Sequence, residues 1–316
     1  MRIDRILCPT DLSPEADEAL RYALTLARAY EASLTVLHCA RPGSEVGLAD
    51  GAAKRVFDQS LFKRLNPAEP LTFDCEAVVI EDEDAGGAII REAAERGADL
   101  IVMRSRRRPH RAALLGSTAE SVCRTAPCPV LVMHNDERDW INGSANAIEL
   151  KRVLVAYDFS DHAELALNYG LSFAQEYQSE LHLLHVLPPS YPNDPEIGWY
   201  PLGEDAAYHK AARRLQQAVP AEAHLWCNIK DAVSEGQPYR EILSYAEENE
   251  IDLICIGTQG AGFGMQTLFG SNVDRVLRQA PCPVLVTRPL KHAKLVRAKS
   301  FAAELAETTF VRSPNR

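Results

Sequence analysis

The chain has 316 residues, of which 46% are hydrophobic and 25% are charged, as in a globular protein with two domains of ordinary size. A formal net charge of -10 at pH 7 argues against nonspecific nucleic-acid binding, because that binding depends on lysine and arginine neutralising phosphates. No apolar run reaches the ~18 residues of a membrane-spanning helix, and the first residues lead directly into a strand-like segment rather than a signal sequence. We therefore expect a cytoplasmic protein.

The eight cysteines are expected to be reduced thiols. Most of them lie within apolar strand or helix patterns or in two Pro-Cys-Pro turns, and no C-x-x-C pair occurs. Zinc is a weaker alternative, because Cys123 and Cys128 have no second pair of ligands at a recognisable spacing. The sequence therefore predicts no metal site built from cysteines.

The sequence contains a long internal repeat. Residues 5–38 align without gaps on residues 152–185, with 14 of 34 positions identical. Residues 116–134 align on residues 270–288, with 11 of 19 positions identical. A period near 150 residues is far too long for a solenoid unit, so the two copies are two whole domains.

These copies predict domains at residues 1–138 and 148–290. Residues 135–149 break the pattern with polar residues and are interpreted as the linker. Residues 291–316 have only a partial apolar stripe, so we expect an arm that is either partly helical or disordered.

Each repeat opens with a short apolar run, at residues 5–9 or 152–156, which is typical of a strand buried on both faces. Ser13 or Ser160 follows in the position of a helix N-cap. An apolar stripe with a spacing of three and four residues then predicts a helix, and a second strand is expected immediately after it.

The remaining part of each repeat continues to alternate between helices and strands. Helices are predicted at 88–96, 118–124, 239–249 and 272–278, and strands at 34–38, 99–103, 130–132, 181–185, 252–256 and 284–286. Such alternation implies right-handed crossovers and a parallel sheet covered by helices on both faces. Ligands bind to these sheets at the carboxyl ends of the strands.

A glycine-rich loop in the second repeat has the features of a phosphate site. Gly257 and Gly260 follow a buried strand, and Gly270-Ser271 stands where a helix begins. Helix N-terminal N–H groups bind phosphate oxygens, and glycines permit close approach of the backbone. The loop lacks the Gly-Lys-Ser/Thr of a Walker motif, so it does not indicate phosphoryl transfer with lysine and magnesium.

With this loop following an aspartate-ended first strand, the chain resembles the universal stress protein family, specifically its tandem two-domain members. The resemblance covers about residues 1–134 and 150–289, and the pattern G-x2-G-x9-G-S is complete in the second repeat. It implies two Rossmann-like, adenine nucleotide alpha hydrolase-like domains of the α/β class, each a five-stranded parallel sheet with helices on both faces. It also implies ATP as the ligand, with or without magnesium.

The resemblance assigns roles to residues of the second repeat. The aspartate that ends the first strand contacts adenine or its ribose, which carries over to Asp158, and a backbone contact to adenine carries over to Val186. The loop glycines and serine hold the phosphates. The full predicted ATP-binding set is Ala156, Tyr157, Asp158, Val186, Ile256, Gly257, Gln259, Gly260, Gly270, Ser271 and Asn272.

Some of these residues have a structural alternative. Asp158 is also typical of a strand-to-helix turn, and Tyr157 either stacks near a base or packs in the core. His38 and His185 end buried strands and are interpreted as hydrogen-bonded core histidines. Gly270-Ser271 could serve simply as an N-cap.

The first repeat keeps Gly116-Ser117 but has Arg104 and Arg107 in place of the two opening glycines. Side chains at these positions would crowd a nucleotide held by backbone amides, so we expect no ATP there. Two alternatives remain open: a degenerate site with a solvated basic loop, or a site for another anion or an acidic partner formed by Asp11, Arg104, Arg107, Gly116 and Ser117.

The function expected from the sequence is ATP binding in the second domain, as a regulatory or sensing ligand in the stress response. The alternatives are a slow ATPase of the same fold, or a nucleotide-free module for another small anionic or apolar ligand. No catalytic residue is assigned, because His162 is too weak a candidate for a general base.

The family resemblance also suggests that the terminal strands, 130–132 and 284–286, pair across a pseudo-twofold axis. Such pairing would make one chain a pseudo-dimer, and a further homodimer stays open. The proline-rich residues 188–203 are interpreted as a surface loop, with a lid or partner surface as the alternative.

Overall fold

The computed structural model describes residues 2–43, 73–105, 116–133, 138–142, 147–189, 204–259 and 270–288. The first repeat contains β1 (Arg5–Thr10), α1 (Asp17–Tyr30), β2 (Ser33–Ala40), β3 (Cys75–Glu81), α2 (Ala85–Arg96), β4 (Leu100–Arg104), α3 (Ser117–Thr125) and β5 (Val130–Met133). The predicted helices and strands of this repeat are present, with α2 beginning three residues earlier than expected.

A short two-stranded sheet, β6 (Ile141–Asn142) and β7 (Ala147–Ile148), connects the repeats. The second repeat then contains β8 (Arg152–Ala156), α4 (Asp161–Tyr177), β9 (Glu180–Leu187), α5 (Glu204–Ala218), β10 (Ile229–Glu235), α6 (Pro238–Glu248), β11 (Leu253–Gly257), α7 (Ser271–Gln279) and β12 (Val284–Thr287). The sequence analysis did not assign β3, β10 or α5.

The strands of each repeat are parallel, and the two sets form one ten-stranded sheet in the order β10-β9-β8-β11-β12-β5-β4-β1-β2-β3. Only the central pair, β12 and β5, is antiparallel, with Leu285 opposite Leu131. Each repeat is thus a five-stranded parallel sheet, which confirms the predicted α/β fold.

Helices cover both faces of this sheet because the buried strands are apolar on both sides. In β4, Leu100 and Val102 enter the core beneath α1, α4 and α5, whereas Ile101 and Met103 enter the core beneath α2, α3, α6 and α7. Alternate residues of a strand point to opposite faces, so a continuous apolar run supplies both cores. No described helix combines the length and apolar character that crossing a membrane requires.

The linker differs from the polar connector that the sequence predicted. Trp140 is only 1% exposed and packs edge-on against Tyr22, with ring centroids 4.7 Å apart. The Tyr22 hydroxyl donates to Asp139 at 2.9 Å. On the other side, Arg138 donates to the carbonyl oxygens of Ala246 and Ile251 at 2.9 and 3.0 Å. Residues 138–140 therefore connect α1 of one repeat with the end of α6 in the other.

All eight cysteines are free thiols, and five of them are buried. Burial raises the pKa of the Cys39 thiol to about 11 and that of Cys128 to about 12. These thiols are therefore largely protonated near pH 7 and weakly reactive.

Candidate functional site

The candidate site lies at the carboxyl ends of β8 and β11, which are neighbours in the sheet. From β8 the chain enters α4 on one face, and α7, which follows β11, lies on the opposite face. This divergence is the topological switch point, where an open parallel sheet leaves a crevice for a ligand.

Asp158 forms the turn that leaves β8. Its Oδ1 accepts hydrogen bonds from the Ser160 N–H at 3.1 Å and the Ser160 hydroxyl at 2.6 Å. Asp11 makes the same turn in the first repeat, where the Ser13 N–H donates to its Oδ1 at 3.0 Å. The aspartate therefore has a structural role in both repeats, whatever ligand it meets in the second.

The residue after each aspartate has a left-handed backbone. Phe159 has a φ of 65° and Leu12 a φ of 62°. Bulky side chains rarely adopt this conformation, so its presence in both repeats marks a conserved turn geometry within the chain. The Phe159 ring lies 4.6 Å from the His185 ring and beneath the Arg214 guanidinium, which is 3.7 Å from its centroid.

The two strand-ending histidines are structural, as predicted. His185 Nδ1 lies 2.8 Å from the Tyr157 carbonyl oxygen, and His38 Nδ1 lies 3.0 Å from that of Thr10. A carbonyl oxygen only accepts, so Nδ1 carries the proton in both residues. Each histidine thereby fixes the end of its second strand to the end of the first.

The predicted adenine-end residues separate onto two faces of the sheet. Tyr157 is 6% exposed and packs in the core beneath α4, where its hydroxyl donates to Glu164 Oε2 at 2.5 Å. Burial, with a contribution from Glu164, raises the pKa of its phenol. Ala156 and Val186 instead pack on the α6–α7 side. The described geometry thus gives the Tyr157 side chain a packing role.

Gly257 is required for helix packing. A Cβ atom at this position would lie 2.6 Å from His162 Cβ and 2.8 Å from the His162 carbonyl carbon. Real Cβ atoms do not approach this closely, so α4 reaches this position because residue 257 has no side chain. Of its predicted neighbours, Ile256 is buried, Gln259 is half-buried and Gly260 lies outside the described residues.

Three side chains that the sequence analysis did not assign to the site meet at the same edge. His162 Nδ1 lies 2.9 Å from Thr258 Oγ1, and the Thr287 hydroxyl donates to the His162 carbonyl oxygen at 3.4 Å. Burial, together with the charge of Arg288, lowers the pKa of His162. The available sequence signal was a threonine at the end of each of two apolar runs, Thr258 directly after β11 and Thr287 as the last residue of β12.

The N-terminus of α7 lies beside the end of β11. Gly270 is the N-cap and makes no side-chain cap hydrogen bond. Its own N–H donates to the Thr258 carbonyl oxygen at 3.2 Å, which places the helix start beside the end of β11. Ser271 is exposed and Asn272 is half-buried. The first N–H groups of a helix have no partner within it, and the helix dipole favours an anion there.

The first repeat differs at the position of Gly257. Arg104 ends β4 there, and Glu15 occupies the position equivalent to His162. Hydrogen bonds from its own N–H and from Ser13, with the charge of Arg104, lower the pKa of Glu15. Gly116 has nearly the same backbone as Gly270, Ser117 is exposed, and Arg107 lies outside the described residues.

The comparisons with known proteins agree with the architecture. The model of the Universal stress protein family matches residues 2–134 and 149–288. The Thermus aquaticus "Universal stress protein in QAH/OAS sulfhydrylase 3'region" is 36% identical over 143 residues, which are 44% of this chain and 98% of the relative. Universal stress protein Rv2623 of Mycobacterium tuberculosis is 27% identical over 299 residues, which cover 90% of this chain and 96% of the relative.

The crystal structure of a universal stress protein from Archaeoglobus fulgidus superposes with a TM-score of 0.65 and 24% identity. The match covers 92% of this chain and 98% of that chain, so the shared fold extends over both repeats. Because the family model matches both halves and most of the sequence, this chain belongs to the universal stress protein family.

Proposed function

We propose that the second repeat binds ATP, with or without magnesium, as a regulatory or sensing ligand in a stress response. One observation carries this proposal. The N-terminus of α7 has no side-chain cap, and it lies at the switch point of the sheet. There the Gly270 N–H donates a hydrogen bond to the Thr258 carbonyl oxygen, directly after β11. This arrangement offers several backbone N–H groups to the phosphates of a nucleotide.

The other end of the crevice suits the nucleoside. Asp158 ends the turn after β8, and Ala156 and Val186 lie on the face that also carries α7. A carboxylate can accept hydrogen bonds from ribose hydroxyls or from the adenine amino group. We therefore assign Asp158 and the backbone near Val186 to the nucleoside, and Gly270, Ser271 and Asn272 to the phosphates.

The contacts of His162 favour a site that binds ATP over one that hydrolyses it rapidly. Its Nδ1 is already paired with Thr258 and its carbonyl oxygen with Thr287. Because burial lowers its pKa, the ring is uncharged near pH 7. We propose that His162 holds the start of the loop, and that hydrolysis, if measured, is slow.

Replacement of Asp158 by alanine tests this assignment. We expect Asp158→Ala to weaken ATP binding about tenfold or more, because a hydrogen bond to a charged group is lost. Isothermal titration calorimetry on the full chain, with magnesium and with EDTA, would measure the affinity.

Asp11→Ala is the matched control. It removes the same turn contacts from the first repeat, so it should cost similar stability while leaving ATP affinity unchanged. Equal weakening by both variants would show that the effect is structural. Unchanged affinity in Asp158→Ala would refute the assignment of Asp158.

We also propose that the antiparallel β5–β12 pairing holds the two repeats together in solution. Edge strands otherwise leave unpaired backbone groups, and this pairing covers both of them. The cytoplasmic location and a further homodimer stay predictions from the sequence.

A further inference from the structure

The first repeat contains a cavity at the amino ends of its strands, beside the last turn of α2. The cavity has a volume of about 200 Å³, and its polar lining consists of Arg5, Ser33, Thr35, Glu76 and Arg96. Pockets for drug-sized molecules have at least about 300 Å³, so this one suits a smaller ligand. The candidate ATP site lies at the opposite ends of the strands and in the other repeat, so the two places are separate.

The second repeat carries a larger side chain at an equivalent position. His182 aligns with Thr35 and is only 1% exposed. Its ring packs edge-on against that of Tyr245 in α6, with centroids 5.6 Å apart. Thr35 is smaller and half-buried, and its hydroxyl donates to Glu76 Oε1 at 3.0 Å. The exchange of His182 for Thr35 thus accounts for open space in the first repeat.

The second repeat also has a carboxylate that the first repeat lacks. Arg152 is the counterpart of Arg5, and its Nη1 lies 2.9 Å from Glu250 Oε2. Gly97 stands at the Glu250 position, two residues before the Asp-Leu-Ile run that both repeats share. The backbones agree as well, because Gly97 and Glu250 have positive φ angles of 60° and 48°. The first repeat therefore keeps the arginine without its carboxylate partner.

The Arg5 guanidinium lies at the place where that carboxylate would begin. A Cβ atom on Gly97 would be 3.3 Å from Arg5 Cζ. Among the described residues, no side chain forms an ion pair or hydrogen bond with this guanidinium. Arg96, the second cation of the cavity, is already paired with Glu76 and Glu92. Arg5 is thus the cation that an anionic ligand in the cavity would meet.

We propose that this cavity binds the carboxylate of a small organic acid, with Arg5 as its charge partner. The ligand takes the part that Glu250 plays toward Arg152 in the second repeat. A guanidinium suits this role because its planar set of N–H donors matches the two oxygens of a carboxylate.

The surroundings favour a monocarboxylate over a phosphate. Glu76 lines the cavity, and Asp99 accepts the backbone N–H that begins β1, so two negative charges lie close by. These charges repel a dianion more strongly than a single carboxylate. The rest of the lining is apolar and suits a short aliphatic chain on the ligand; it consists of Ile6, Leu7 and Ala98.

Titration of the full chain with propionate tests the proposal. Propionate, but not chloride at equal ionic strength, should saturably shift the amide NMR signals that border the cavity, those of Arg5, Ser33, Gly97 and Ala98. The signals of Glu250 and Ile251 should not shift, because Arg152 already has its carboxylate.

Two pairs of variants separate a built site from nonspecific binding. Arg5→Gln should weaken propionate binding about tenfold or more, because a hydrogen bond to a charged group is lost, whereas the matched control Arg152→Gln should leave it unchanged. Gly97→Glu restores the carboxylate of the second repeat within the chain and should abolish the binding. Gly97→Ala, which imposes the same backbone cost without the carboxylate, should retain it.

Three results would overturn the proposal. The first is the absence of saturable shifts with propionate, and the second is equal affinity in the wild type and Arg5→Gln. The third is binding of inorganic phosphate at these amides as tight as that of propionate, which would contradict the preference for a carboxylate. Arg5 is exposed, so thermal midpoints near that of the wild type are expected for Arg5→Gln.

Discussion

At the scale of single residues, the two repeats differ at positions that lie next to each other in the structure. Gly257 permits the close packing of His162, and His162 in turn pairs with Thr258. In the first repeat Arg104 stands in place of the glycine and Glu15 in place of the histidine, and the charge of Arg104 contributes to lowering the pKa of Glu15. A change at one position is thus accompanied by a change at its neighbour, which is why the same scaffold supports two different strand ends.

His182 is a second residue whose environment has a measurable consequence. It is 1% exposed, its Nδ1 lies 2.9 Å from the Tyr245 hydroxyl, and its Nε2 lies 3.5 Å from Glu180 Oε1. Burial lowers the pKa of His182 to about 4; the charges of Lys230 and Arg152 act in the same direction and that of Glu180 opposes them. His182 therefore binds a proton near pH 6.5 in the unfolded chain, but only near pH 4 in the folded chain.

This difference predicts acid sensitivity with a definite sign. Above about pH 6.5, His182 is neutral in both states and does not reduce the free energy of unfolding. As the pH falls from there toward about 4, the free energy of unfolding decreases, and the loss is about 2 kcal/mol at pH 5. Urea unfolding at about pH 7.5 and pH 5 would measure it. His182→Gln should lose about 2 kcal/mol less than the wild type over this interval, whereas equal losses would contradict the assignment.

At the scale of helices and strands, periodicity predicted the elements whose apolar residues face a core. The stripe of α1 and the buried runs of β1, β4 and β11 have strong patterns, and these elements were placed correctly. The edge strands β3 and β10 are half-exposed and carry charged residues, so their alternation is weak. The helix α5 has mostly exposed residues beyond Ala211 and Leu215, which left its pattern too sparse to assign.

The start of the first helix in each repeat also depends on contacts that a sequence does not show. In the second repeat α4 begins at Asp161, directly after its N-cap Ser160. In the first, a 3-10 turn at Pro14–Ala16 precedes α1. In the second repeat, the His162 carbonyl carbon lies 2.8 Å from the position that a Cβ atom on Gly257 would take.

Gly257→Ala tests this packing. We expect it to lower the free energy of unfolding by about 1–3 kcal/mol even without nucleotide, because the new methyl group would overlap His162. Gly270→Ala is the control: its Cβ would lie 3.4 Å from the Thr258 carbonyl oxygen and 3.5 Å from Val273 Cγ2, the nearest described atoms, so the cost should be smaller. Chemical denaturation of both variants would give the difference, and equal stability of Gly257→Ala and the wild type would contradict this role.

At the scale of the whole molecule, the internal repeat made the fold predictable from the sequence. The packing of the linker was the part of the fold that the sequence did not predict. Identical motifs at a spacing near 150 residues predicted two equivalent sheets, and the structure joins them through β5 and β12. The burial of Trp140 against Tyr22 was not predictable, because the two residues are distant in sequence and the surrounding segment is polar. The candidate site was predicted from strand ends and a glycine-rich loop, whereas the parts played by His162 and Thr258 became visible only through the packing of α4 against the end of β11.

The central claim is that one of the two repeats binds ATP, and the stoichiometry of binding tests it most directly. Calorimetric titration of the full chain with ATP should give one equivalent per chain, because Gly257 and its packed helix occur only in the second repeat. Denaturing the purified protein and quantifying the released nucleotide would give an independent count. Two equivalents would show that Arg104 does not prevent nucleotide binding, and none would contradict the assignment of the second repeat as an ATP site.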